Sequence, residues 1–272
     1  MTINDLLRQD SEWLRGTGPS ADIVMSSRTR MARNIEKMPF SNRADRKQLE
    51  DVLARAKEAA LSISFLKGAT FFHLKDLNEI DRLFLVERHL MSPEHARDVE
   101  FKGLIVDSKE VVSIMVNEED HLRIQVLQSG LSLRECWKII DEIDTEFSKR
   151  LPYAYSAKWG YLTACPTNSG TGLRGSVMLH LPALVFVGQI NKVLQAIAKL
   201  GLNVRGFYGE GTEAVGNIFQ VSNQASMGMT EEDLIDSINK IVNQSIYREE
   251  TTRKSLVLKN REALADRVSR AY

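Results

Sequence analysis

The chain has 272 residues, of which 43% are hydrophobic and 26% charged, and its formal net charge is zero. This composition is typical of a globular protein with a sizeable core in one large or two smaller domains. The N-terminal sequence MTINDLLRQDSEWLRG is too polar for a signal peptide, and no stretch approaches the roughly 20 apolar residues of a membrane span. We therefore expect a cytoplasmic protein with no membrane partner.

Charge is unevenly distributed along the chain. No Asp or Glu lies between Phe147 and Gly209, whereas seven Lys and Arg residues lie there, so the rest of the chain carries a net charge of minus seven. This asymmetry favours an anionic ligand. The cations are too sparse for a typical nucleic-acid-binding surface. We expect a phosphate-bearing small molecule and no direct contact with nucleic acid.

The first half of the chain predicts helices around a run of neighbouring strands. Amphipathic helices are expected over residues 45–62 and 76–90. The segments GLIVD, VVSIMVN and HLRIQVL predict three antiparallel strands. Ser132 and Glu135 predict a capping box that opens a helix running to about residue 149.

The second half predicts short strands in YLTAC and SVMLHL, followed by a helix that starts at Pro182 and stops at Gly201. Thr230 and Asp233 predict the cap of a long, charged helical tail. Because the helices do not alternate strictly with the strands, the predicted fold class is α+β, an antiparallel sheet flanked by α-helices.

The glycine-rich segment GTGLRG, residues 170–175, matches the dinucleotide-binding pattern G-x-G-x-x-G. That fingerprint needs an acid about twenty residues downstream, and the acid-free segment excludes one. The sequence also contains no P-loop pattern. Either a tight structural turn remains, or a turn in which backbone N–H groups and Arg174 cradle phosphate oxygens.

Arginines in strand-like segments supply further candidates for phosphate binding. Arg28 and Arg30 lie two apart in SSRTRMAR, and Arg123 and Arg205 also lie in strand-like runs. One arginine on a strand usually faces solvent, but several in a region poor in acids favour a shared polyanion such as a triphosphate.

Acidic residues and a cysteine accompany these arginines. If EDHLR is extended, Glu119, His121 and Arg123 share one face; otherwise the acids form a solvated hairpin tip. Glu210 lies between glycines in YGEG. Cys165, in CPTNSG, is either a polarised thiol or a small buried side chain.

Cysteine spacing argues against a metal site. Cys136 and Cys165 show neither a metal-type pattern nor a disulfide framework, so we expect reduced thiols and no protein-held metal cluster. Cys136, within an amphipathic helix, is interpreted as a core residue.

Taken together, the segments SSRTRMARN, VNEEDHLRI, CPTNSGTGLRGSVMLHLPAL and RGFYGEGTEAVGNIFQVSN resemble, in order and spacing, the signatures of the phosphagen (guanidino) kinase catalytic domain. The resemblance spans Ile23 to Ile241 and is strongest to the bacterial branch, the McsB protein arginine kinases. It implies a catalytic domain over residues 1–241 and a C-terminal helical extension over 242–272, shorter than in the family. Met178 replaces a histidine of the small-substrate kinases, as in the bacterial branch.

The resemblance implies that Glu119 and Glu210 grip a target guanidinium, with Cys165 beside it as a thiolate. These are the expected catalytic residues. His89 is expected near adenine, and Mg²⁺ is expected to bridge the ATP phosphates with few protein ligands. The residues expected to bind ATP are Ser26, Ser27, Arg28, Thr29, Arg30, His89, Arg123, Arg174, Gly175, Ser176, Val177, Met178, Arg205, Gly206, Phe207, Tyr208, Gly209 and Glu210.

The activity implied is phosphorylation of arginine side chains in proteins by ATP. One alternative is a kinase of free arginine or another small guanidino compound, and a second is a non-catalytic adaptor in stress proteolysis. By family analogy the expected partners are exposed arginines of protein substrates, an activator protein of the McsA type, a heat-shock repressor, a Clp unfoldase with its protease, and a second copy of the chain in a homodimer.

Overall fold

The computed structural model describes residues 2–206, 215–259 and 261–271. Its helices are α1 (Ile3–Leu7), α2 (Arg46–Leu61), α3 (Glu79–Glu87), α4 (Leu133–Ser148), α5 (Pro182–Phe186), α6 (Ile190–Lys199), α7 (Glu231–Lys259) and α8 (Arg261–Ala271). Its strands are β1 (Val24–Arg33), β2 (Thr70–His73), β3 (Gly103–Val106), β4 (Val112–Val116), β5 (Leu122–Ser129), β6 (Tyr155–Ser156), β7 (Gly160–Tyr161), β8 (Leu173–His180), β9 (Leu202–Gly206) and β10 (Ile218–Asn223).

Eight strands form one antiparallel sheet in the order β2-β3-β4-β5-β1-β8-β10-β9, and β6 pairs with β7 in a separate hairpin. The predicted α+β class, an antiparallel sheet flanked by helices, is confirmed. Within the described ranges, no helix has the length and apolar content needed to cross a bilayer.

The sheet has one face that is covered throughout by helices. Apolar side chains such as Met31, Ile114 and Ile124 point to α2, α4 and α7 and form the main core. Gly175 is tightly packed there, because a Cβ at this position would lie 2.9 Å from the Ile238 side chain of α7. Burial of this face supplies most of the hydrophobic driving force for folding.

The opposite face is covered only near β3 and β4. There Leu104, Val106 and Met115 pack with Leu6 of α1 and Leu85 of α3 in a second, smaller core. The centre of the same face, on β1, β5 and β8, carries polar and charged side chains instead. We call it the open face.

Most predicted elements have their expected limits. The helix predicted over 45–62 is α2, with Asp45 and Gln48 forming its capping box. The second predicted helix is shorter than expected and corresponds to α3. Thr230 Oγ1 accepts the Asp233 N–H and donates to its carboxylate, as the predicted cap requires.

Three predictions of secondary structure are wrong. The strand predicted in YLTAC does not extend beyond Tyr161, because β7 is Gly160–Tyr161 and residues 162–165 are not in a strand. Ser132 does precede α4, but its hydroxyl donates to the Ser129 carbonyl and Glu135 pairs with Lys138, so no capping box forms. The helix predicted from Pro182 to Gly201 is divided into α5 and α6, because Gly188 adopts a left-handed conformation with φ of 68°.

The proposed boundary at residue 241 falls inside α7, which is a single helix with buried residues from Leu234 to Leu256. The division into a catalytic domain and an extension stays a prediction.

Candidate active site

The strand register brings the predicted arginines to one face of the sheet. Arg30 of β1 pairs with Arg174 of β8. Ala32, two residues further along β1 and therefore on the same side, pairs with Arg123 of β5. Directly paired residues of antiparallel strands point to the same side. Met178 of β8 pairs with Gln220 of β10, and Gln220 pairs with Arg205 of β9, so Arg205 lies on the same side as Met178. The open face therefore carries Arg28, Arg30, Arg123, Arg174 and Arg205.

Of these arginines, Arg123 is paired with Glu118, whereas Arg28, Arg30 and Arg174 lie close together with no ion-paired acid in the part of the chain that the structure describes. Burial, followed by the charges of Arg123 and Arg174, lowers the pKa of Arg28 to about 10. Burial and the charges of Arg28, Arg123 and Arg174 lower the pKa of Arg30 well below its ordinary value. Its buried Nε has no hydrogen-bond partner among the residues that the structure describes. Among the described residues, no carboxylate forms an ion pair with Arg28, Arg30 or Arg174. Such a cluster is suited to bind an anion with several charges.

The three acids of VNEEDHLRI form the turn between β4 and β5. Asn117 starts the turn with φ of 59°, and β5 begins only at Leu122. The expectation that Glu119, His121 and Arg123 share a strand face is therefore wrong. The alternative of a hairpin tip is correct for the backbone, but Asp120 and His121 are buried at 3% and 0% exposure.

Adjacent acids in this turn have different electrostatic environments. Glu118 accepts from Arg123 at 2.6 Å and from Ser92 at 2.7 Å. Burial opposes its ionisation, but the charge of Arg123 and these hydrogen bonds outweigh burial and lower its pKa to about 2. Burial and the charges of Asp120 and Glu118 raise the pKa of Glu119. Glu118 is thus committed to Arg123, whereas Glu119 is the more basic carboxylate.

Cys165 precedes a short 3₁₀ turn, Pro166–Asn168, that follows the β6–β7 hairpin. Its Sγ lies 3.0 Å from Thr167 Oγ1, and its carbonyl accepts from Thr163 Oγ1 at 2.7 Å. The side chain is partly exposed, unlike that of Cys136, which is fully buried and whose pKa is raised by burial. Of the two thiols, Cys165 is the accessible one.

A cavity of about 250 Å³ connects these elements. Its lining includes Arg30, Arg123, Arg174, Glu118, Glu119, Asp120, Cys165, Thr167, Asn168 and Gly172. Two of the expected catalytic residues, Glu119 and Cys165, therefore face one cavity with three of the expected phosphate-binding arginines. An acid and a thiol beside a cluster of arginines suit a reaction between a cationic group and a polyphosphate.

The other expected ATP-binding residues divide between the two faces. Ser26, Ser176 and Met178 share the open face with the arginines. Ser27 and Thr29 point the other way, and their hydroxyls donate to the carbonyls of Gly130 and Cys136. Gly175 and Val177 also lie on the helix-covered face. Gly206 ends β9, whereas Phe207, Tyr208, Gly209 and Glu210 lie outside the described residues.

His89 follows α3 in a left-handed conformation with φ of 59°, rather than inside a helix. The His89 carbonyl accepts from Nε2 of Gln125, which pairs with Arg30 across β1 and β5, so His89 lies beside the arginine cluster. Burial and then the positive charge of Arg28 lower the pKa of His89. Its ring centroid lies 5.0 Å from that of Trp13. Trp13 had no sequence signal, because this contact joins residues that are distant in the chain. Glu118 could have been recognised as the neighbour of Glu119 in the acidic triplet.

Comparison with protein families gives a match over most of the chain. Residues 51–252 match the family described as ATP:guanido phosphotransferase, C-terminal catalytic domain. Two curated proteins named protein-arginine kinase are similar over the whole chain. The one from Halothermothrix orenii is 46% identical and the one from Symbiobacterium thermophilum 48%, and this chain covers 78% of each.

Solved structures share the fold. The substrate-free duplicated taurocyamine kinase of Schistosoma mansoni superimposes with a TM-score of 0.74 at 25% identity, over 92% of this chain and 35% of that longer one. Lombricine kinase superimposes with a TM-score of 0.76 at 24% identity, over 91% of this chain and 73% of that one, which shows the fold alone. The resemblance and fold expected from the motifs are confirmed. The chain belongs to the ATP:guanido phosphotransferase family.

Proposed function

We propose that this kinase transfers the γ-phosphoryl group of ATP to a guanidinium nitrogen of arginine side chains in proteins. One observation carries the proposal, namely the cavity in which Glu119 and Cys165 face Arg30, Arg123 and Arg174. The relatives named protein-arginine kinase, 46% and 48% identical, support the choice of acceptor.

The arginines of the open face would hold the phosphates of ATP. Three of them line the cavity, and the unpartnered Nε of Arg30 is a donor available to a phosphate oxygen. Guanidinium groups fixed before ATP binds stabilise the charge of a transferring phosphoryl group without reorganisation. His89 would lie toward the adenine, since its ring is close to Arg28 at the other end of the cluster.

Mg²⁺ would be held chiefly by the phosphates. Glu118 is engaged by Arg123, and Asp120 accepts hydrogen bonds from Asn34 and Ala164, so these carboxylates are not free for a metal. When bound, the ion neutralises and orients phosphate oxygens.

Glu119 would grip the target guanidinium, and Cys165 would lie against it as a negative partner. A guanidinium is a poor nucleophile because its charge is delocalised and its pKa exceeds about 12. As the nitrogen bonds to the γ-phosphorus, the bond from phosphorus to the ADP oxygen breaks and the nitrogen loses a proton. The raised pKa of Glu119 suits it to accept that proton. Family resemblance assigns Glu210 to the same guanidinium.

The remaining partners are predictions from the family resemblance. They are an activator of the McsA type, a heat-shock repressor, a Clp unfoldase with its protease, and a second copy of the chain. Cytoplasmic location is likewise an inference from the sequence.

Mass spectrometry under conditions that spare the acid-labile N–P bond tests the proposal. The protein, ATP and Mg²⁺ are incubated with an arginine-rich protein or with free arginine. We expect phosphoarginine on the protein substrate, and loss of transfer in Glu119→Gln and Cys165→Ser. Glu135→Gln, on the exposed side of α4, is the matched control and should keep full activity. Strong turnover of free arginine without protein modification would favour the small-substrate alternative instead.

A further inference from the structure

A buried network lies behind Glu119 and Cys165 and is not explained by the proposed chemistry. Its members are Asn34, Asp120 and His121, with exposures of 2%, 3% and 0%. Asp120 directly follows Glu119 in the β4–β5 turn, and Asn34 directly follows β1. Buried polar groups need partners, so each contact in this network indicates what its residues hold in place.

Asp120 links the acidic turn to the loop of the cysteine. Its Oδ1 accepts from the backbone N–H of Ala164 at 2.7 Å and from Asn34 Nδ2 at 2.6 Å. Ala164 is the residue immediately before Cys165. One carboxylate oxygen therefore connects the backbone adjoining Glu119 to the backbone adjoining Cys165.

Asn34 and His121 fix Asp120 in turn. The Asn34 amide also donates to the Leu162 carbonyl at 3.0 Å, and its Oδ1 accepts from the His121 N–H at 2.9 Å. His121 Nδ1 accepts from the Ile35 N–H at 3.0 Å, so Nε2 carries the hydrogen and donates to the Pro39 carbonyl at 2.8 Å. The network thus ties the turn, the end of β1 and the cysteine loop together.

We propose that Asp120 is a positioning residue that sets the separation between the Glu119 carboxylate and the Cys165 thiol. This inference rests on the proposed function, in which both groups contact one guanidinium. Two groups on separate loops can align a planar cation only if the loops keep a fixed spacing. A displacement of about 1 Å can reduce turnover about 100-fold.

The structure contains a matched control for this role. Asp107, 9% exposed, lies in the turn between β3 and β4 and accepts from the N–H groups of Val112 and Lys109. That turn is at the opposite end of β4 from the acidic turn. Asp107→Ala and Asp120→Ala therefore each remove a buried carboxylate that accepts from the backbone, but only the second loosens the cysteine loop.

Three measurements on the full chain test the proposal: kcat per folded molecule, the KM for ATP, and the rate at which iodoacetamide alkylates Cys165. We expect Asp120→Ala to lower kcat by about 30- to 100-fold with little change in the KM for ATP, and to change the alkylation rate. Asp107→Ala should leave all three near the wild-type values. Asp120→Asn keeps the side-chain volume and one acceptor oxygen, so it should lower kcat less and provides the test if Asp120→Ala does not fold.

Equal kcat and equal alkylation rates in Asp120→Ala and Asp107→Ala would overturn the proposal. So would a loss confined to the KM for ATP. If the wild-type protein phosphorylates neither protein nor free arginine, the proposed function fails. The alkylation comparison still decides whether Asp120 positions the thiol.

Discussion

Two regions of β1 bury arginines in opposite ways. Arg33 lies on the helix-covered face at 1% exposure, where its Nε and Nη2 donate to the carboxylate of Asp144 and its Nη1 to the Thr171 carbonyl. Its guanidinium also stacks on the Tyr161 ring at 3.6 Å. Within the described ranges, Arg30 on the open face has a buried Nε without a partner, and its close charged neighbours are arginines and Glu118.

The difference distinguishes an arginine that stabilises the fold, Arg33, from one that is available to bind a ligand, Arg30. A buried ion is tolerated when hydrogen bonds and an opposite charge compensate its desolvation, as at Arg33. At Arg30 such compensation is missing from the described residues, and a bound polyanion would supply it. The fold therefore holds the open face in a state that a polyphosphate would stabilise, which is the preorganisation that phosphoryl transfer requires.

Arg30→Met should impair catalysis without lowering stability. Loss of one guanidinium that stabilises a transferring phosphoryl group should lower kcat/KM about 1,000-fold. Stability should not fall, because methionine retains much of the apolar volume and removes a charge repelled by Arg28, Arg123 and Arg174. Steady-state kinetics and urea denaturation measure the two effects. A large loss of stability with activity retained per folded molecule would contradict the assignment.

Arg33→Met is the matched substitution on the structural side. It leaves Asp144 buried at 9% side-chain exposure without its cation, which should cost about 3–5 kcal/mol of unfolding free energy. Urea denaturation at neutral pH measures the change. The expected order of stability, with Arg33→Met far below Arg30→Met, would be reversed if the open-face arginine were the structural one.

Polyphosphate binding should stabilise the wild-type protein and Arg33→Met more than Arg30→Met, and this effect should be smaller than the two above. A ligand that binds only the folded state at 100 times its Kd adds about 2.7 kcal/mol to stability. ATP or inorganic tripolyphosphate should therefore raise the melting temperature of the wild-type protein and of Arg33→Met. Arg30→Met should show much less of this increase at the same ligand concentration. Equal increases in all three proteins would place the anion elsewhere.

The sequence predicted which side of β1 carries Arg28 and Arg30, but not which residues of other strands lie next to them. Arg28 and Arg30 could be placed on one side of a strand because extended chains alternate faces. Their proximity to Arg174 and Arg123 depends on β1 lying between β5 and β8, a pairing of distant segments that local spacing does not determine. The motif resemblance implied that these arginines hold one ligand, but not how their strands pair.

Backbone details of the acidic turn were not predictable from alternation. Asn117 enters the left-handed region and ends the strand before the acids, so the expected shared face of Glu119 and Arg123 does not form. The buried pair of Arg33 and Asp144 joins residues far apart in the chain and had no local signal. Long-range partners of polar residues thus define which predicted charges are structural and which belong to the site.

The pH dependence of turnover should show the smallest effect and reports on Glu119 itself. Because its carboxylate must be ionised to grip the guanidinium, and its pKa is raised above the ordinary 4.5, activity should be lost on the acid side as the pH falls through that raised pKa. Burial is the first cause of the shift, and the negative charges of Asp120 and Glu118 follow. Glu118→Gln removes one of these charges, and it also leaves the positive charge of Arg123 nearby without its partner. Both changes favour the ionised form of Glu119, so the acid limb should move to lower pH.

The turnover rate is measured as the rate of ADP formation, because this product, unlike phosphoarginine, is not acid-labile. Glu135→Gln, which alters an exposed carboxylate on α4, should leave the acid limb at the wild-type position. A limb that stays in place or moves to higher pH in Glu118→Gln would mean that a group other than Glu119 controls it. Such a result would count against Glu119 as the acid that holds the guanidinium. It would leave the assignment of the open-face arginines unchanged, because the acid limb does not depend on them.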